Sequence, residues 1–108
     1  MTLYGLPLTA VSRIRSVFAR YPQISQVILY GSRAKGNFRP GSDIDLTVRG
    51  KGLTYDNLNR LELELDDLLL PYKIDLSLYA MLDHAGLLAH IARVGKLFYE
   101  QEPNHISM

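Results

Sequence analysis

The chain has 108 residues, 47% of them hydrophobic, with twelve Lys or Arg against eleven Asp or Glu. That length gives one domain, residues 1–108, with a core but no second lobe, and a net charge near +1 excludes the concentrated basic face that bulk RNA or DNA binding needs. Cysteine is absent, which excludes disulfides and thiolate zinc; with no basic-then-apolar leader and no run of ~20 apolar residues, a cytoplasmic home without membrane insertion is expected.

Residues 8–21 place Leu8, Val11, Ile14, Val17, Phe18 and Tyr21 on one helical stripe, with Thr9 at its start and Pro22 ending it. Residues 24–30 are a compact apolar run, read as a buried strand that delivers Gly31 and Ser32 to its mouth. Residues 37–42 read as loop. Residues 43–48 alternate, predicting a strand with Ile44, Leu46 and Val48 toward the core and Asp43, Asp45 and Thr47 toward a cleft. A slip of one residue would bury the acids and expose the aliphatics, so the same residues specify register and site.

Gly50 and Gly52 break that strand, and Thr54 is the expected cap of a helix carrying Leu58, Leu61, Leu65, Leu68 and Leu69 on one side before Pro71. Residues 61–65 also alternate with strand period, but length favours helix. Residues 73–79, KIDLSLY, read as a further strand. Asp83 is the expected cap of a last helix that packs Leu87, Leu88, Ile91 and Val94 inward and stops at Gly95. Residues 97–99 are expected to form a short edge strand, and residues 100–108 to fray. The fold class is α/β (α+β), with helices packed on one side of a small mixed sheet.

The chemistry is concentrated in residues 31–45, GSRAKGNFRPGSDID. Asp43 and Asp45, spaced i and i+2 on a strand, point to one face with backbones roughly 6 to 7 Å apart. Like charges that close raise each other's pKa, and a divalent cation relieves the repulsion; hard oxygen ligands favour Mg²⁺. Gly31 permits a tight turn, and Ser32 offers a hydroxyl and an N–H where a helical turn can attract phosphate. Arg33 and Lys35 add positive charge beside that turn. Asp75 is a third acid; on a strand paired about 4.8 Å from the first it would converge with Asp43 and Asp45 in a two-metal site, as metal ligand, general base or both.

Tyr30-Gly31-Ser32, then Asp43-Ile44-Asp45-Leu46, then Ile74-Asp75-Leu76 resemble in order the signature of the polymerase-β-like nucleotidyltransferase superfamily, and most closely its minimal nucleotidyltransferases. The resemblance covers nearly the whole chain. Two positions depart from the common pattern: Tyr30 stands where Phe is frequent and Lys35 where Arg is frequent. The resemblance implies that Gly31 and Ser32 cradle phosphates, that Asp43 and Asp45 hold metal with Asp75, and that Ser42 contacts terminal phosphates. It further implies ATP as donor with two Mg²⁺ ions. As partner it implies a HEPN-type toxin that this chain neutralises as an antitoxin by adding AMP to a tyrosine. A steric antitoxin without catalysis and a transferase acting on a small molecule such as an aminoglycoside are the alternatives. An exposed sheet edge and a docking face favour homo- or hetero-oligomeric assembly.

The remaining polar residues read as ordinary. His84 and His90 are six apart, which is not a one-face helical spacing, and are taken as surface or interface residues. His105 has no evident partner. The seven tyrosines are spread along the chain, as core-edge and interface residues are.

Overall fold

The computed structural model, which describes residues 1–102, opens with a hairpin too short to leave a periodic signature in the sequence. Its strand β1 (Thr2–Leu3) turns back onto β2 (Leu6–Pro7) through Tyr4 and Gly5, at φ 56° and 75°. Helix α1 (Leu8–Ala19) follows directly, with Pro7 rather than Thr9 at its N-cap, and buries Ala10, Val11, Ile14, Val17 and Phe18. Its amphipathic stripe is the one expected, because apolar residues three and four apart share a face.

Strand β3 (Ile24–Tyr30) leads through Gly31 into the single turn α2 (Ser32–Lys35), and β4 (Ile44–Gly50) returns antiparallel to β3. Helix α3 (Tyr55–Asp66) starts with a capping box in which the Thr54 hydroxyl accepts from the Asn57 N–H and the Asn57 side chain accepts from the Thr54 N–H. Leu61 and Leu65 are its buried anchors. Leu69, expected on the same side, lies past the helix end at φ 55° and is 88% exposed. Strand β5 (Ile74–Leu78) pairs parallel with β4, and a 3-10 turn at Tyr79–Met81 leads to α4 (Ala85–Val94) and edge strand β6 (Lys96–Glu100).

The main sheet runs β5–β4–β3–β6, with β3 antiparallel to both neighbours and β4 parallel to β5. Its two faces differ completely. Leu29, Leu46 and Leu76 are level with one another across three strands and lie in the main core with residues of α1 and α3. One residue along each strand, Tyr30, Asp45 and Asp75 are also level, and so share the opposite face.

That second face corrects the expected layering. Helix α4 does not join α1 and α3; its Ile91 and Gly95 line a cavity together with Ile28 and Arg49, which belong to the polar face. Gly95 has no space for a side chain, since a methyl would meet the Ile91 carbonyl and sit 2.8 Å from Ile28 Cγ2. Thr47, expected in the cleft, is fully buried on this face and accepts a 2.9 Å hydrogen bond from the Ser77 hydroxyl. His84, not Asp83, caps α4, its Nδ1 accepting from the Leu87 N–H at 3.0 Å.

The expected fraying from residue 100 is also revised at its start. Glu100 belongs to β6, and Gln101 is tied by its N–H to the Ser25 carbonyl and by its side chain to the Pro22 carbonyl, both at 2.9 Å. The rest of that expectation, with His105, lies outside the described residues. Among the described residues no helix is long and apolar enough to cross a membrane.

Candidate active site

The site is built where β3, β4 and β5 end side by side. The parallel pairing of β4 with β5 sets Asp45 directly opposite Asp75, and the antiparallel pairing of β3 with β4 sets Tyr30 opposite Asp45. Adjacent strands are about 4.8 Å apart, so the two carboxylates sit within Coulombic reach of each other. Asp43 lies one residue before β4 and is exposed, as is Asp75, whereas Asp45 is partly buried.

The charges tell on Asp45. Burial, then the Asp75 and Asp43 carboxylates, push its pKa above the usual carboxylate value, while Lys73 opposes the rise. Tyr30 is pushed up in the same way, first by burial and then by Asp75 and Asp45, with the nearby Ser77 hydroxyl opposing the rise.

Gly31 is the residue that allows Asp45 to sit there. It adopts φ 75° and ψ −157°, and a methyl at its Cα would collide with Asp45 Oδ2. No other residue type fits both the backbone and the carboxylate. Ser32, half-buried, opens α2, whose turn is closed by hydrogen bonds from Lys35 N–H to the Gly31 carbonyl and from Gly36 N–H to the Ser32 carbonyl. Lys35 is exposed at the end of this turn.

Arg33 stands elsewhere than the sequence reading put it. It is 1% exposed, and its guanidinium donates to the carbonyls of Tyr4 (2.9 Å), Pro40 (3.2 Å) and Ser42 (3.0 and 3.1 Å). The rings of Phe38 and Tyr72 flank it at 5.2 and 5.3 Å. With its donors on carbonyls, Arg33 ties the β1–β2 corner to the loop before β4 rather than binding a phosphate. Ser42 belongs to the same device: its hydroxyl accepts from the Arg39 N–H at 2.8 Å and its N–H donates to the Arg39 carbonyl at 2.9 Å. Both residues therefore shape the loop that presents Asp43.

His90, read from sequence as ordinary, lies at the site. Its Nε2 accepts the Gly31 N–H at 3.1 Å, and its ring meets the Tyr30 ring edge-on at 6.2 Å. No spacing in the sequence signals this, because the contact spans 59 residues and depends on α4 crossing the polar face.

The donor set suits a hard divalent cation, consisting of carboxylate oxygens whose mutual repulsion already burdens Asp45. Among the described residues no three acids or histidines are grouped closely enough to hold a metal ion by themselves, so nucleotide oxygens would have to complete any coordination sphere.

These features define the nucleotidyltransferase class of site: an acid pair and a third acid on adjacent strands, facing a glycine-serine turn. The family profile of polymerase beta nucleotidyltransferases matches residues 12–104, and the chain belongs to that family. Comparison with curated protein sequences finds no match. Among solved structures the chain is similar to a toxin–antitoxin crystallised with AMP-PNP, at TM-score 0.69 and 21% identity, covering 85% of this chain and 74% of that one. It is similar to the toxin–antitoxin MntA–HepT at TM-score 0.64 and 18% identity, covering 88% and 74% of the two chains. A third likeness is to a tri-AMPylated Shewanella oneidensis HEPN toxin in complex with MNT antitoxin, at TM-score 0.64 and 19% identity over 87% and 72%. At these identities the likeness establishes a shared fold.

Proposed function

We propose that this chain is the antitoxin of a toxin–antitoxin pair and transfers AMP from ATP to a tyrosine hydroxyl of a HEPN-type toxin. The observation that carries the reading is the level row of Asp45 and Asp75 with Asp43 beside it, facing a Gly31 whose missing side chain makes room for the Asp45 carboxylate. Structural neighbours that hold AMP-PNP or an AMPylated HEPN toxin support the choice of donor and partner.

In this reading Asp43 and Asp45, with Asp75 beside them, would hold Mg²⁺ together with the nucleotide's own oxygens. When bound, the metal neutralises the carboxylates and the triphosphate and lowers the pKa of an attacking hydroxyl. The chain's own residues do the rest. The Gly31–Ser32 turn lets the backbone approach the phosphates closely, and the row of acids orients the acceptor for in-line attack. The acceptor oxygen bonds to the α-phosphorus, the bond to pyrophosphate breaks, and Asp75, exposed and level with Asp45, takes the acceptor's proton. Openness suits a macromolecular acceptor: Asp43 and Asp75 both stand in solvent, where a protein tyrosine can reach them.

The test mixes the purified chain with Mg²⁺, ATP and the product of the adjacent gene, and reads that protein's intact mass. The expected result is a gain of one or more AMP units that is lost with Asp43→Ala/Asp45→Ala. A tight complex of unchanged mass would replace this reading with a steric antitoxin, and labelling of free sugars would replace it with a small-molecule transferase.

A further inference from the structure

We infer that His90 is a positioning residue for the nucleotide site: it holds the Gly31–Ser32 turn in its binding geometry from across the sheet. The inference rests on the proposed nucleotide function and names a residue that function does not otherwise use.

Secondary structure leaves one backbone amide of this turn, that of Gly31, without a strand partner. The ladder between β3 and β6 begins only at Leu29 opposite Lys96, so β6 does not reach the Gly31 N–H. The pairing of β3 with β4 ends at Tyr30 opposite Asp45. A backbone donor beyond the last pair needs a partner or exposure to water. Here the partner is His90 Nε2, at 3.1 Å. As an acceptor Nε2 carries no proton, which places the ring proton on Nδ1.

That bond fixes the peptide plane entering Gly31, whose φ of 75° then directs Ser32 into α2. The same glycine packs against the Asp45 carboxylate, so a shift of this plane moves the phosphate turn and the central acid together. His90 is well placed to hold it because α4 is itself immobilised. Ile91, the next residue, is buried, and Gly95 fits against Ile28 with no space for a side chain. His84 caps the other end. The edge-on contact with Tyr30 sets the ring's orientation from the strand side.

The test uses the full chain with MgAMP-PNP as probe and two readouts: hydrogen exchange of the Gly31 amide by NMR, and probe affinity by calorimetry. His90→Leu keeps volume and removes the acceptor; His90→Gln keeps an acceptor near the Nε2 position. We expect His90→Leu to speed Gly31 exchange about tenfold or more and weaken the probe about tenfold, the scale of one lost hydrogen bond, with His90→Gln within about threefold of the parent in both. If His90→Leu does not fold, His90→Gln is set against His90→Asn, whose oxygen falls short of the Nε2 position, and only the latter should lose affinity. Parent-like affinity in His90→Leu, or in His90→Asn, overturns the inference. An unmodified chain that does not bind MgAMP-PNP overturns the nucleotide reading instead, and Gly31 exchange then still decides whether His90 holds the turn.

Discussion

The two faces of one sheet show opposite ways of using the same strands. On one face Leu29, Leu46 and Leu76 stand in a row and are buried with α1 and α3; on the other, one residue along, Tyr30, Asp45 and Asp75 stand in a row at a solvent-facing edge. The first row is stabilising in proportion to the apolar area it removes from water. The second carries a cost, since burial and then the neighbouring carboxylates push the Asp45 pKa up. Because the side-chain period of a strand is two, neither row can shift without the other. The aliphatic face thus holds the acids where they would not gather by themselves.

Substitution on the two faces should therefore move stability in opposite directions. Asp45→Asn removes a charge that folding disfavours; we expect nucleotide transfer to fall at least about a hundredfold while metal-free thermal stability rises by a few degrees, checked by intact mass and melting temperature. Leu46→Ala, its neighbour on the core side, should cost about 2–5 kcal/mol in denaturant unfolding. Equal destabilisation by the two would break the comparison.

Arg33 sharpens it, as a charged residue that works for the core. Arg33→Met leaves the carbonyls of Tyr4, Pro40 and Ser42 without their donor, and a loss of about 2–4 kcal/mol is expected with faster proteolysis of residues 37–42. The smallest effect concerns the seam between α1 and α3, where the Tyr21 hydroxyl donates to the Glu64 carboxylate, itself paired with Arg20 at 2.6 Å. Burial and then this acceptor push the Tyr21 pKa up to about 12. The folded state thus keeps a proton that the unfolded chain loses near pH 10, so this stabilisation is full below pH 10 and falls as pH rises toward 12. Tyr21→Phe should lose about 1 kcal/mol at neutral pH and show a flatter alkaline decline.

Much of this was legible in the sequence because strand alternation and acid spacing are local. The positions of Asp43, Asp45 and Asp75, the Gly31 turn, and the Thr54 cap follow from patterns within a few residues. Arg33 was not legible as a buried residue: it sits among loop-forming residues, and its burial depends on the Tyr4 carbonyl, 29 positions away, at a two-residue hairpin with no periodic trace. His90 and the placement of α4 were hidden for a related reason. An amphipathic helix records that it has an apolar side but not which face of a sheet that side meets. The part of Ser42 in shaping the loop was hidden as well, since nothing in the motif says that its hydroxyl accepts from the Arg39 N–H.

The central claim is that the repelling acids exist to hold a metal-bound nucleotide. Calorimetric titration of MgAMP-PNP into the unmodified chain and into Asp43→Asn/Asp45→Asn tests it most directly. The account predicts saturable binding by the first and at least a hundredfold weaker binding by the second. Equal binding by both, or none by the unmodified chain, would contradict it.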